Sequence, residues 1–123
     1  MNKLISLFMA YDEHLGDRIR QILQTKNVPF YDKKMMGGLV FMVNDKMCCG
    51  IHIDKKYGDS LLMAKIGEEA YNQNIEKEEC LPMDFTGRPM KGYIFITPQG
   101  FDMDSDLEYW IDKAVAFNKT ITK

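Results

Sequence analysis

The strongest constraint on the fold is a pair of apolar runs on either side of Asn44-Asp45. Asn-Asp is acceptable chemistry for a two-residue hairpin turn, although it is weaker than Asn-Gly. Such a turn predicts that Val43 faces Lys46, and the same register then continues along both runs. We therefore expect an antiparallel hairpin centred on this turn.

This register divides the hairpin into two faces. One face is apolar apart from glycine and is expected to lie in the core; it comprises Met36, Val40, Met42, Met47, Cys49, Ile51 and Ile53. The other face is mixed; it comprises Met35, Leu39, Phe41, Val43, Lys46, Cys48, His52 and Asp54. A slip of one residue would bury Lys46 and His52. The register thus predicts Cys49 in the core and Cys48 beside His52 on the other face.

Helical periodicity dominates the two ends of the chain. In the N-terminal helix, Ser6 or Asp12 is the candidate cap, and the helix ends at Asn27 and Pro29. Its apolar stripe comprises Leu4, Phe8, Tyr11, Leu15, Ile19 and Ile22. In the final helix, Ser105 and Glu108 have capping-box spacing, and residues 120–123 are expected to fray. Its inward stripe comprises Leu107, Trp110, Ile111, Ala114 and Val115.

Shorter elements connect the hairpin to the final helix. The sequence predicts a strand over residues 60–66, a short helix over 67–75 and a strand over 93–97. The order α-β-β-β-α-β-α contains local hairpins and no crossover repeat. It predicts an α+β fold, in which an antiparallel sheet with a central hairpin is packed by N-terminal and C-terminal helices and one short middle helix.

Length, charge and cysteine usage limit the class of protein. The 123 residues fit one domain over 1–123, and the net charge of -2 argues against a strongly basic nucleic-acid-binding domain. Cys48, Cys49 and Cys80 form no disulfide framework, as suits a reducing compartment. The apolar run at residues 4–10 is too short to cross a bilayer and lacks a cleavage site. We expect a cytoplasmic protein that does not enter a membrane.

Three stretches resemble the TfoX N-terminal domain family. Residues 33–44 combine a basic residue, methionine, an apolar residue, Gly-Gly and a strand. The segment Asp-Phe-Thr-Gly-Arg-Pro-Met-Lys-Gly at residues 84–92 is similar to the family's second and more specific signature, and Tyr109-Trp110 with residues 114–117 resembles its C-terminal helix.

This resemblance covers roughly the whole chain and implies an α+β fold related to the YjbR-like group. The family is named for a regulator of natural competence in bacteria. It also includes longer proteins with a helical C-terminal domain, which we do not expect here. The resemblance implies no catalytic residue.

The loop at residues 84–92 is the first candidate for a ligand site. Thr86, Arg88 and Lys91 offer donors for an anion or phosphate. Lys34 is a further candidate, in a basic patch with Lys33, Lys46, Lys55 and Lys56, although solvated lysines at a sheet edge are the more frequent explanation. Gly87 and Gly92 allow close backbone approach. In the alternative interpretation, which we favour, the loop is a structural turn.

In that structural interpretation, Asp84 and Thr86 cap the turn, Pro89 stiffens it, and Arg88 pairs with a carboxylate.

The Gly37-Gly38 pair likewise allows either a ligand-binding or a structural interpretation. It permits a ligand to approach the sheet, or it marks a bulge or sharp bend, and we favour the bulge or bend.

No metal, cofactor or catalytic group is expected. Cys48, Cys80, His52 and His14 are the only plausible soft ligands. Cys48 and His52 are separated by about 13 Å along an extended strand, too far to share a zinc ion or form a nucleophilic dyad. No glycine-rich turn follows a strand and opens a helix.

Three functions remain open on this basis. The leading hypothesis is a non-catalytic interaction or regulatory module that binds a protein partner or itself, using an uncovered strand edge or the face Leu39-Phe41-Val43 for a homodimer. The ten methionines fit either core packing, which we favour, or an adaptable binding surface with exposed methionines beside the loop. The first alternative is a domain, enzymatic or not, that binds an anion or phosphate at the 84–92 loop. The second is a weak nucleic-acid-binding module that uses the lysines with Tyr93 or Phe95.

Overall fold

The structure, a computed structural model, describes residues 12–35, 37–54, 59–83, 87 and 90–122. Within these residues the α-helices are α1 (Glu13–Thr25), α2 (Gly67–Asn74) and α3 (Asp104–Ile121). The strands are β1 (Tyr31–Met35), β2 (Gly38–Val43), β3 (Lys46–Asp54), β4 (Asp59–Lys65), β5 (Cys80–Pro82) and β6 (Tyr93–Ile96). They form one antiparallel sheet in the order β1-β2-β3-β4-β6-β5, which confirms the α+β prediction.

Helix α1 begins and ends with standard caps. The carboxylate of Asp12 accepts hydrogen bonds from the backbone N–H groups of His14 and Leu15, at 2.9 and 3.2 Å. At the other end Asn27 has a left-handed φ of 58°, and the N–H of Val28 donates to the carbonyl of Leu23, as in a Schellman motif. The predicted end at Asn27 is confirmed. Ser6, Leu4, Phe8 and Tyr11 lie outside the described residues.

The main core lies between the helices and one side of the sheet, which we call the first face. Helices α1 and α3 cover the middle strands there, and α2 covers β6. The inward stripe predicted for the final helix is buried in this core, as predicted; it comprises Leu107, Trp110, Ile111, Ala114 and Val115. Two details of the prediction for that helix are wrong. Met103, and not Ser105, is the N-cap and gives no side-chain cap, and the helix continues to Ile121.

The hairpin register is confirmed at the turn and then changes. Val43 pairs with Lys46 and Met42 with Met47, as predicted, but Phe41 pairs with Cys49. Cys48 is therefore an extra residue on β3, which is a β-bulge. Because of it, the predicted alternation holds on β3 only from Cys49 onward and is inverted on β2. The prediction that Met47 shares the core face with Cys49 is wrong, since Met47 packs on the other side of the sheet.

The first face of β2 accordingly comprises Leu39, Phe41 and Val43, which are buried in the main core. The prediction that Val40 and Met42 lie there is wrong, as is the prediction that Leu39-Phe41-Val43 is available for a dimer. Cys49 is in the core, as predicted. Cys48 is not on an accessible opposite face, since the bulge buries it with Cys49 in the same core.

The other side of the sheet, which we call the second face, carries a smaller apolar cluster. Its buried members are Leu61, Met63, Met83 and Phe95, and Met47, Leu81 and Tyr93 pack against them. The ring of His52 stacks on Phe95, with centroids 4.8 Å apart. All three described helices pack on the first face.

Candidate binding surface

The 84–92 loop leaves and rejoins the fold through a closed base. The N–H of Met90 donates to the carbonyl of Met83 at 2.9 Å, which holds the two ends of the loop together. The carbonyl of Gly92 accepts from the N–H groups of Ile66 and Gly67, at 2.8 and 3.1 Å. Gly92 has a φ of +100° and packs against Gly67, so this glycine attaches the loop to the start of α2.

Of the residues predicted to bind an anion, the structure describes Lys91 and Lys34, and these two do not lie together. Asp84, Thr86, Arg88 and Pro89 lie outside the described residues, and their roles stay predictions. Lys91 is exposed beside β6, whereas Lys34 is exposed on β1. These strands are four spacings apart, or about 19 Å, so Lys34 and Lys91 do not converge. Gly87 is exposed with a φ of +83°.

The two glycines of the 37–38 pair have different structural roles. Gly37 adopts a φ of +82° in the turn between β1 and β2, with open space around it. Gly38 lies so close to β3 that a Cβ would stand 2.1 Å from the carbonyl oxygen of Ile51. The space above Gly38 is thus filled by backbone and does not admit a ligand.

The cysteines are held inside the protein, whereas His52 is half-buried. Cys48, Cys49 and Cys80 are buried free thiols. A hydrogen bond from Cys49, helped by the charge of Lys65, lowers the pKa of Cys48, whereas the pKa of Cys49 is raised by that bond and by burial. Burial raises the pKa of Cys80 to about 11. Across the described residues, no group of three histidine, cysteine or acidic side chains is placed to hold a metal ion.

Two surface hollows have charges that are already engaged. The hollow between α1 and α3, of about 270 Å³, contains Arg18, whose guanidinium donates to the carbonyls of Phe101 and Asp102 and to the carboxylate of Asp104. In a hollow of about 510 Å³, the ammonium of Lys77 lies 4.9 Å from the centroid of Tyr109. Both arrangements connect neighbouring elements of the fold.

Strand β1 is the most accessible regular element of the sheet. It lies at the edge, and four of its five residues are exposed. Tyr31 and Met35 are 49% and 39% exposed, and alternation along the strand places both on the second face. The hydroxyl of Tyr31 donates to Asp45 at 3.2 Å, and Arg20 donates to Asp32 at 2.9 Å. The hairpin turn and α1 thus hold this edge in place.

The sequence prediction missed the contribution of β1 to this surface. The available signal was the alternation in Tyr31-Asp32-Lys33-Lys34-Met35, in which Tyr31, Lys33 and Met35 share one face.

Among the methionines near the loop, Met90 is 40% exposed, whereas Met63 and Met83 are buried. Phe95 is buried beneath His52, so its ring is not available to stack on a nucleobase.

The described residues thus define an α+β domain with helices on one face of an antiparallel sheet and an open strand at its edge. The family model for the TfoX N-terminal domain matches residues 24–118, which is most of the sequence. The chain belongs to this family. No curated protein and no solved structure matches it. None of the described helices has the length and apolar character needed to cross a bilayer.

Proposed function

We propose that this chain is a non-catalytic interaction module that binds an extended protein segment along β1. The observation that carries the proposal is the open edge strand, with Tyr31 and Met35 exposed on one of its faces. Membership of a family named for a competence regulator is compatible with a regulatory use of such binding.

The backbone of β1 supplies the affinity in this proposal. In an antiparallel pair, alternate residues direct their N–H and C=O groups to the partner strand and the others direct them away. An edge strand therefore presents a row of donors and acceptors, which an extended segment can satisfy by adding one strand. The exposed Tyr31 and Met35 then provide apolar contacts for alternate side chains of that segment.

The charges on β1 limit which segments it accepts. Lys33 and Lys34 are exposed and carry two adjacent positive charges. Lysines on an edge strand discourage pairing with arbitrary segments, because a segment that lacks carboxylates at the matching positions leaves the lysine charges without a partner. We therefore expect selective binding.

A photo-crosslinking amino acid at Tyr31 tests the proposal in cells. The expected result is a protein crosslink that is lost when Met35→Ser is combined with Lys34→Pro, because proline removes a backbone donor from the open edge and serine removes an apolar contact. Met103→Ser is the matched control, since Met103 is exposed on a different element, at the start of α3. Crosslinks that are unchanged by the β1 substitutions would contradict the proposal.

An anion-binding site at the 84–92 loop is the second candidate. It is supported by the closed base of the loop, which presents Lys91 to solvent. Thermal unfolding with inorganic phosphate and with nucleotides should then show stabilisation that Lys91→Ala and Arg88→Ala both reduce. Melting temperatures that do not respond to any of these anions would contradict this candidate.

A further inference from the structure

We infer that β1 pairs with β1 of a second copy of this chain, antiparallel about a two-fold axis at Lys33. The inference rests on the proposed function and names the partner. In this arrangement the two six-stranded sheets become one continuous sheet.

The side chains of β1 match themselves when the strand is reversed about Lys33. Tyr31 then faces Met35 of the partner subunit, and these two exposed apolar groups contact each other on the second face. Asp32 faces Lys34 of the partner subunit, which places opposite charges across the interface. Both favourable contacts occur twice because of the two-fold symmetry.

The backbone of β1 has the correct parity for this register. Val43 pairs with Lys46 across the two-residue turn Asn44-Asp45, and the closing pair of such a turn exchanges its backbone hydrogen bonds. Met42 therefore directs its backbone groups to Tyr31, its partner on β1. Alternation then directs the backbone groups of Lys33 toward β2 and those of Asp32 and Lys34 toward the open edge. In the inferred register, Asp32 faces the partner's Lys34, so two outward-directed residues meet and can exchange hydrogen bonds.

Neighbouring registers with the same parity are less favourable. Centring the axis on Lys34 would place two Lys34 side chains opposite each other, and centring it on Asp32 would oppose two carboxylates. The register centred on Lys33 has one like-charge pair, formed by the two Lys33 side chains at the axis. In this register the carboxylate of Asp32 can contact two cationic side chains. Arg20 of the same subunit donates to Oδ2, and the partner's Lys34 approaches from the open edge.

The position of Lys33 at the axis allows a direct test of geometry. Two residues facing each other as a non-hydrogen-bonded pair have Cα atoms about 4.5 Å apart, within the range for a disulfide. Lys33→Cys should therefore form an intermolecular disulfide when treated with oxidised glutathione. Lys34→Cys is the matched control, since its two copies would be about 8 Å apart in this register.

Sedimentation of the full-length chain over a range of concentrations tests the equilibrium. We expect a reversible dimer that Lys34→Glu weakens by roughly tenfold, because it converts both Asp32–Lys34 contacts into repulsion. Lys33→Thr should strengthen the dimer by removing the like-charge pair. Lys119→Glu makes the same charge change on an exposed position of α3 and should leave the dimer unchanged.

Three results would overturn the inference. The first is that the wild-type chain stays monomeric up to about millimolar concentration. The second is that Lys34→Glu does not weaken the dimer. The third is that Lys33→Cys and Lys34→Cys form intermolecular disulfides to the same extent. If the dimer fails while the Tyr31 crosslink to another protein persists, the proposed function stands and the partner is a different chain. Loss of both results rejects the proposed function as well.

Discussion

At Gly38, β2 approaches β3 so closely that the added methyl group of an alanine would overlap the carbonyl oxygen of Ile51. Gly37 beside it has open space and a left-handed backbone. We expect Gly37→Ala to cost about 1–2 kcal/mol of unfolding free energy, from backbone strain alone. Gly38→Ala should cost about 3 kcal/mol or more, because the strands must separate. Urea denaturation of both variants provides the measurement, and equal losses would contradict this division of roles.

His52 gives the stability of the protein a defined pH dependence. Burial lowers its pKa below the ordinary value of 6.5, although the nearby charge of Asp54 acts in the opposite direction. The neutral ring is favoured in the folded protein, so the unfolded chain binds more protons as the pH falls below 6.5. The stability contributed by neutral His52 is complete above that pH and is lost on acidification.

We therefore expect the unfolding free energy of the wild type to fall as the pH drops below about 6.5, the ordinary histidine pKa, and to keep falling until the ring is also protonated in the folded protein. His52→Gln should flatten that slope, and His14→Gln, which leaves His52 in place, should retain it. Urea titrations at several pH values measure the slopes. Identical slopes for wild type and His52→Gln would show that this ring does not set the dependence.

Among the elements, the connection between α1 and the start of α3 depends on Arg18. Its guanidinium donates to two backbone carbonyls, those of Phe101 and Asp102, and to the highly exposed carboxylate of Asp104. Charged hydrogen bonds to backbone carbonyls, here with the Phe101 bond partly buried, contribute more than an exposed ion pair. Arg18→Ala should therefore destabilise the protein by about 2 kcal/mol.

Asp104→Asn is the matched substitution on the same contact, and it should cost less than about 0.5 kcal/mol because the ion pair is exposed. Chemical denaturation of the two variants measures both effects. A larger loss for Asp104→Asn than for Arg18→Ala would mean that the ion pair, and not the carbonyl contacts, joins these elements.

The elements that the sequence predicted well are those with a strong apolar period. The final helix has such a pattern, and its predicted stripe is buried in the structure. Strand β4 was found from a short continuous apolar run, which is typical of a strand that is buried on both faces. Strand β1 was missed because an exposed edge strand buries little and because its alternation is weak: Lys33 stands between Tyr31 and Met35 on the same face. Strand β5 was missed because it has only three residues and contains Pro82.

The candidate surface could be predicted only in part, for a related reason. Gly37 and Gly38 were visible in the sequence, but their roles were not: Gly37 lies in the turn between β1 and β2, Gly38 approaches β3 closely, and the bulge of the hairpin is at Cys48. The four-strand separation of Lys34 from Lys91 depends on strand order, which nearby residues do not encode. The role of Tyr31 and Met35 likewise depends on β1 being at the edge of the sheet.

At the scale of the whole molecule, the two apolar clusters share one sheet. On β4, Leu62 lies in the main core, whereas its neighbours Leu61 and Met63 lie in the second-face cluster. Loss of either cluster therefore removes support from the same strand. We expect both sides of the sheet to unfold in one cooperative transition.

Trp110, the single tryptophan, reports on the first face and allows this prediction to be tested. Its fluorescence and the far-ultraviolet circular dichroism should give the same urea midpoint. Leu61→Ala on the second face should lower both midpoints together, at a cost of about 2–5 kcal/mol. A circular dichroism transition that precedes the change at Trp110 would show that the second face unfolds separately.

The bulge at Cys48 also determines how insertions and deletions can be accommodated in this hairpin. If Cys48 is removed, Phe41 with Cys49, Val40 with Gly50 and Leu39 with Ile51 continue the turn register without a break. An alignment with a single gap at this position would thus keep every pair and both faces of the strand. The adjacent cysteines therefore differ in the pairing of the sheet: Cys49 is the partner of Phe41, and Cys48 is the extra residue whose deletion would leave the pairs of the hairpin unchanged.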